Sequence, residues 1–168
     1  MTVIVQKPEF NLREKLSELE FGTLPYEKAP SGSVIQYVEA SHKRMTNRFS
    51  TSSTSYTATN YDLTISPRLF NSKILITVNL LLEIRSASIV AIELTRGGSS
   101  LFTNTGGLRA NETANGGYTT YSYLDSPEST NTLTYGVQTY SSNGDYTFNN
   151  YLGGGPANSF LTVMEVVG

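Results

Sequence analysis

At 168 residues the chain is long enough for one domain with a core and too short for two ordinary domains plus a linker. A formal charge of -2 gives no broad electrostatic ground for binding nucleic acid or an anionic membrane, and the absence of cysteine excludes a disulfide framework, a thiolate metal site and a cysteine nucleophile. No apolar run approaches the roughly 20 residues that span a bilayer, and the start of the chain lacks the basic-then-apolar order of a secretory signal, so neither membrane insertion nor ordinary secretion is expected.

Residues 1–32 differ from the remainder. Asn11 can cap a helix with Glu14 three positions later, and Leu12, Leu16 and Leu19 then share one face, which predicts a short helix over 11–20. Helices under about 12 to 15 residues are marginal alone in water. The leucine face, with Phe10 and Phe21 beside it, must therefore dock on this domain, a sister subunit or another protein. The Pro and Gly content of 21–32 reads as an extended tether. Residues 1–32 are accordingly expected to be an anchoring arm whose interface is Phe10, Leu12, Leu16, Leu19 and Phe21; the alternative is a helix packed over an open end of its own domain.

From Ser33 onward strand signals follow one another, at 33–40, 47–56, 62–66, 73–85, 88–96, 99–103, 117–125, 131–141, 145–148 and 159–167. The clearest is 73–85, where Ile74, Ile76, Val78, Leu80, Leu82 and Ile84 alternate with mostly polar residues and so point to one face. Burying those six would contribute about 10 to 15 kcal/mol as an upper figure, and a strand with that apolar face needs a second sheet to cover it. The expectation for 33–168 is an all-β, antiparallel β-sandwich or jelly roll, its chemistry confined to loops and outer faces.

Asn143-Gly144 is the sharpest hairpin signal, because a type I′ turn needs positive φ at both central positions; Arg96-Gly97-Gly98 and Asn115-Gly116-Gly117 are weaker turns of the same kind. Residues 153–156 read as a loose surface loop. No period of 20 to 50 residues recurs, so a propeller or solenoid is unsupported. The last strand is apolar on both faces except for Glu165, which places it in mid-sheet or against a neighbouring subunit and leaves Glu165 needing a partner, such as an arginine across an interface.

Catalytic chemistry is sparse. His42, the only histidine, has no Gly-x-Ser-x-Gly elbow to pair with and reads as a solvated loop residue; His42, Lys43, Arg44 and Arg48 read as an exposed basic loop. The carboxylates Asp62, Glu83, Glu93, Glu112, Asp125, Glu128, Asp145 and Glu165 are scattered, without the pairing that a glycosidase needs. Asp125-Ser126-Pro127 reads as a turn in which the aspartate bonds backbone amides. Asn143 and Asp145 lack the alternating acidic ladder of a calcium loop. No cofactor or metal is expected.

Eleven tyrosines, many of them between residues 118 and 151, suit stacking on sugars or filling protein interfaces. Tyr118, Tyr121, Tyr123, Tyr146 and Tyr151 are the candidates for glycan or partner contact, the loops 102–117 and 150–158 for gripping a host glycan. Cross-strand pairing and inter-subunit packing form the other reading of the same residues.

The order Gly32-Ser33-Val34-Ile35-Gln36, Ser72-Lys73-Ile74-Leu75-Ile76, Leu94-Thr95-Arg96-Gly97, Tyr123-Leu124-Asp125-Ser126-Pro127, Thr134-Tyr135-Gly136-Val137-Gln138 and Val163-Met164-Glu165-Val166 resembles tail-fibre-like and capsid-decoration structural proteins of marine phages. The likeness covers 32–168. It implies a non-enzymatic virion component, a homotrimeric jelly roll on the capsid or tail surface with capsid or tail structural proteins as partners. The chain departs from typical fibres in having no shaft, which favours a compact protein attached directly to the particle through its arm. The competing class is a glycan-binding receptor module of a tail fibre.

Overall fold

A computed structural model describes residues 25–43, 49–84, 88–101, 108–112, 116–142, 146–148 and 158–168. Among the described residues a single 3-10 turn, Tyr26–Lys28, precedes eleven strands: β1 Val34–Lys43, β2 Phe49–Thr51, β3 Thr57–Ile65, β4 Lys73–Ile84, β5 Ser88–Arg96, β6 Ser99–Ser100, β7 Leu108–Glu112, β8 Gly116–Asp125, β9 Leu133–Ser141, β10 Tyr146–Phe148 and β11 Asn158–Val166. Every pairing among them is antiparallel.

The strands form two sheets. In the first, β11 faces residues 73–79 of β4 and β10 faces residues 82–84, so β10 and β11 share one line; β1 and β2 share the next, and β8 flanks β4 on its other side. In the second, β9 lies between β3 and β5, and β6 and β7 share the line beyond β5. Taken as eight lines in chain order, the first sheet reads first, eighth, third, sixth, and the second reads second, seventh, fourth, fifth. Two four-line sheets with this alternation make the double Greek key of a jelly roll.

The core follows from alternation on the strands. Ile74, Ile76, Val78 and Leu80 of β4 are buried, as are Leu161 and Val163 of β11, opposite Tyr61, Ile65, Val90, Ile92, Leu94, Tyr135 and Val137 of the second sheet. At roughly 1.5–3 kcal/mol per side chain, the four β4 residues alone contribute about 6–12 kcal/mol as an upper figure. The expected helix over 11–20, and the side chains of Leu82 and Ile84, lie outside the described residues.

Several turns form as their residues dictate. Gly97 and Gly98 hold φ of 57° and 81° between the paired Arg96 and Ser99, the two-residue type I′ hairpin read from the sequence. Gly32, at φ 86°, sits at the third position of a turn closed by the Ser33 amide donating to the Pro30 carbonyl at 3.0 Å, a type II arrangement that needs glycine there. Asn143-Gly144 and 153–156 lie outside the described residues.

The structure corrects four expectations. The loop expected over 102–117 carries β7, paired to β5 from Leu108 to Glu112. His42 is in β1, opposite Ser159, and not in a loop. Asp125 does not serve its own turn. Its Oδ2 accepts from Tyr135 Oη and from Arg96 Nη1, each at 2.7 Å, and so clamps the end of β8 to the opposite sheet. Among the described residues Glu165 pairs with no arginine side chain. Its Oε1 accepts from the Arg68 amide at 2.7 Å, the Leu69 amide at 3.0 Å and the Ser72 hydroxyl at 2.8 Å, which ties the β3–β4 loop over the end of the sandwich.

Candidate functional site

The outer face of the first sheet carries the feature that the core does not account for. Cross-strand register aligns Leu124 of β8 with Leu75 of β4, Leu75 with Met164 of β11, and Met164 with Tyr37 of β1. Directly opposite residues share a face, and β4 sends Ile74 and Ile76 inward, so this row points outward. Leu124 is 49% and Tyr37 52% exposed, while Leu75 and Met164 are half-buried between them. One row nearer the end of the sheet, Val166 of β11 lies between Lys73 and Val34, and Val34 is 54% exposed.

On its other side the apolar row meets a polar one of Ser122, Thr77, Thr162 and Glu39. Thr77 and Ser122 share a hydroxyl hydrogen bond of 2.8 Å, and in the row beyond Asn79 Nδ2 donates to Thr120 at 2.6 Å. Tyr37 Oη donates to Glu39 Oε2 at 2.5 Å, and that bond to an acceptor raises the phenol above its ordinary pKa. The tyrosine thus lays its ring on the apolar row and its hydroxyl on the polar one. An apolar strip with a polar border is the anatomy of a contact surface.

The outer face of the second sheet has a different character. There Glu93 accepts from the Ser100 hydroxyl and the Gln138 amide, and the Tyr56 and Tyr140 rings sit 5.7 Å apart.

The chain enters the sandwich beside the apolar strip. The Gly32 amide donates to the Val167 carbonyl and the Val167 amide to the Ser33 carbonyl, both at 2.9 Å, and the Arg68 guanidinium lies 4.1 Å over the Tyr26 ring. Arg68 belongs to the loop that Glu165 holds. Gln36, with its amide nitrogen turned toward its acceptors, donates to Glu165 Oε2 at 3.2 Å and to the Ser66 carbonyl at 3.1 Å. One buried carboxylate therefore fixes both the loop and the place where residues 1–24 join the fold.

The tyrosines read from the sequence separate. Tyr118 is on the outer face of β8 and is 58% exposed. Tyr121 and Tyr123 pack on the core side, and burial, with Tyr123 nearby, raises the Tyr121 phenol. Tyr146 is in β10; its side chain, Tyr151, and Phe10, Leu12, Leu16, Leu19 and Phe21 lie outside the described residues. Sequence reading passed over Tyr37, Leu75 and Leu124 because each looks like a lone interruption in its own strand, and only register aligns them. Among the described residues no three of His, Cys, Asp and Glu gather as a metal site, and no helix is long and apolar enough to cross a membrane.

No protein-family model matches the chain, and no curated protein does. Among solved structures the chain is similar to the protein of T=1 particles derived from infectious bursal virus, at 10% identity over 83% of this chain and 38% of that one, with a TM-score of 0.46. It is also similar to VP2 of the infectious bursal disease virus subviral particle, at 11% identity over 80% of this chain and 39% of that one, with a TM-score of 0.47. The chain spans about two fifths of the length of these proteins.

Proposed function

We propose that the chain is a non-enzymatic structural protein of a virus particle, a surface decoration or a short fibre or knob, held to capsid or tail components by its N-terminal arm and assembled as a homotrimer. The observation that carries this reading is the jelly-roll strand order, an architecture used by viral capsid, lectin and cupin domains. A fold alone selects only such a shortlist. Against the cupin class stands the single histidine, which leaves a histidine-rich metal barrel without ligands. The fixed polar groups support a passive role: Glu165 and Asp125 each hold a loop or a strand end in place.

Labelled antibodies on intact particles test this reading. Decoration at regular positions is the expected result, and protein found only outside particles would overturn it. The glycan-binding reading draws on Tyr118, exposed on a strand at the sheet edge. Saturable binding on a glycan array that Tyr118→Ala weakens would favour that module over passive attachment.

A further inference from the structure

We propose that the open edge of β8 is a joint between two copies of this chain, in which β8 pairs antiparallel with β8 of a second copy about a two-fold axis at Tyr121, and the first sheets of both copies run on as one. This pairing goes beyond attachment to a particle and does not depend on where the protein is placed. It joins copies in twos, and so links one homotrimer to the next where each copy also belongs to one.

Sheet edges invite other strands, and folded proteins blunt them with bulges, charges or short strands. Of the four sheet edges among the described residues, three are blunted. β1 has a register irregularity between Val34 and Gln36 and is continued by the three-residue β2; β3 has another between Ala58 and Asp62; the line beyond β5 is split into β6 and β7, the latter carrying Arg109 and Glu112. β8 has none of these devices. It holds one register with β4 through ten residue pairs, contains no proline, and among the described residues pairs with no strand but β4. Its one charged residue, Asp125, is already bonded to Tyr135 and Arg96.

The ladder decides which backbone groups the edge offers. The Leu81 amide donates to the Ser159 hydroxyl at 2.9 Å, and the Thr77 carbonyl accepts from Thr162 Oγ1 at 3.3 Å, so the odd-numbered residues of β4 turn their backbone groups toward β11. The even-numbered ones then turn toward β8, where they meet Thr119, Tyr121, Tyr123 and Asp125. The amides and carbonyls left along the open edge are those of Tyr118, Thr120, Ser122 and Leu124. With the axis at Tyr121 these same residues become the hydrogen-bonded pairs, Tyr118 with the partner's Leu124 and Thr120 with the partner's Ser122, each twice, for about eight main-chain bonds. Strand addition draws its affinity from such bonds more than from area. The register also sets Tyr118, 58% exposed, against Leu124, 49% exposed, with polar Thr120 against polar Ser122 between them. A shift of two residues either way puts Leu124 opposite Gly116 or Thr120 and Tyr118 opposite Ser122 or Ser126, so β8 complements itself in one register. Lacking interior charges, it does not repel its own copy. The row of Tyr37, Met164, Leu75 and Leu124 continues across the joint onto the partner's Tyr118, and Tyr118 is taken up by protein instead of sugar.

Sedimentation equilibrium on the full-length protein, with circular dichroism as the folding control, tests the joint. Ser122→Pro removes an amide from the open edge and leaves the ladder to β4 whole, so this variant should have half the mass of the unchanged protein. Ser122→Ala, which loses the same hydroxyl and keeps the amide, should retain the full mass. Equal masses for the unchanged protein and Ser122→Pro would overturn the joint. Because Ser122→Pro can misfold, oxidation of cysteine variants decides independently, and the chain has no cysteine of its own. Positions 120 and 122 face one another across the axis at about 5.5 Å between Cα atoms, within disulfide reach, so a mixture of Thr120→Cys and Ser122→Cys should give a covalent dimer at least tenfold above either variant alone. No dimer, or as much from one variant alone as from the mixture, would overturn the joint. The unit that Ser122→Pro leaves behind separates this result from the homotrimer reading: three copies retain the homotrimer, one copy rejects it, and the two-fold joint stands in either case.

Discussion

Glu165→Ala removes the acceptor that the Arg68 and Leu69 amides and the Ser72 hydroxyl share at 2.7, 3.0 and 2.8 Å. Glu165 is fully buried. Hydrogen bonds to a charged group contribute about 1.5–3 kcal/mol each, and stranding a buried donor costs about 1–3 kcal/mol. Because the three bonds share one oxygen they do not add, and the combined loss is about 3–6 kcal/mol. Against a typical total of about 5–15 kcal/mol, that is a large fraction, and for a chain of this size it corresponds to a fall in Tm on the order of 10–20 °C. Glu165→Gln keeps an acceptor oxygen and should lose about half as much. Urea unfolding followed by circular dichroism measures both, and amide exchange at Arg68 and Leu69 localises the effect. A loss below about 1 kcal/mol for Glu165→Ala, or unchanged exchange at those two amides, would refute the claim that this carboxylate pins the β3–β4 loop.

Other expected outcomes are as specific. Tyr135→Phe deletes the buried hydroxyl that donates to Asp125 at 2.7 Å and should cost about 1.5–3 kcal/mol in urea unfolding; Arg96→Ala should cost less, because the Arg96 side chain is 37% exposed and its bridge is screened. Burial raises the Tyr61 phenol to about 12 from an ordinary 10.0, offset in part by a hydrogen bond with Ser159. Its folded pKa lies above its unfolded one, so the stability tied to its neutral form is intact below pH 10 and is lost between pH 10 and about 12. An alkaline unfolding series should show that decline, and Tyr61→Phe should flatten it. Gly98→Ala forces an L side chain to φ 81° and should destabilise by about 1 kcal/mol despite open space around it, read as a shift in the urea midpoint.

Much of the sandwich was legible in the sequence because alternation is a local property. β4 needed only its own residues to announce a buried face, and Gly97-Gly98 needed only its own φ requirement. What was not legible depends on residues far apart in the chain. β7 lacks an apolar alternation of its own and forms because β5 offers an edge to Leu108–Glu112. Asp125 looked like a turn aspartate until Arg96 and Tyr135 came across from the second sheet. Glu165 looked in need of an arginine side chain, yet the nearest unpaired donors were the backbone amides of a loop 96 and 97 positions away in sequence. The outward apolar row was hidden for the same reason: Tyr37, Leu75, Leu124 and Met164 become neighbours only once three registers are fixed.

The central claim is that this jelly roll is a passive particle component held by the segment before its first strand. Counting copies per purified particle by quantitative mass spectrometry, for the full chain and for one with Leu12, Leu16 and Leu19 all changed to serine, tests that claim most directly. The account predicts a fixed stoichiometry for the former and near-complete loss of the latter, with its circular dichroism unchanged. Equal copy numbers for both, or no copies of either, would contradict it.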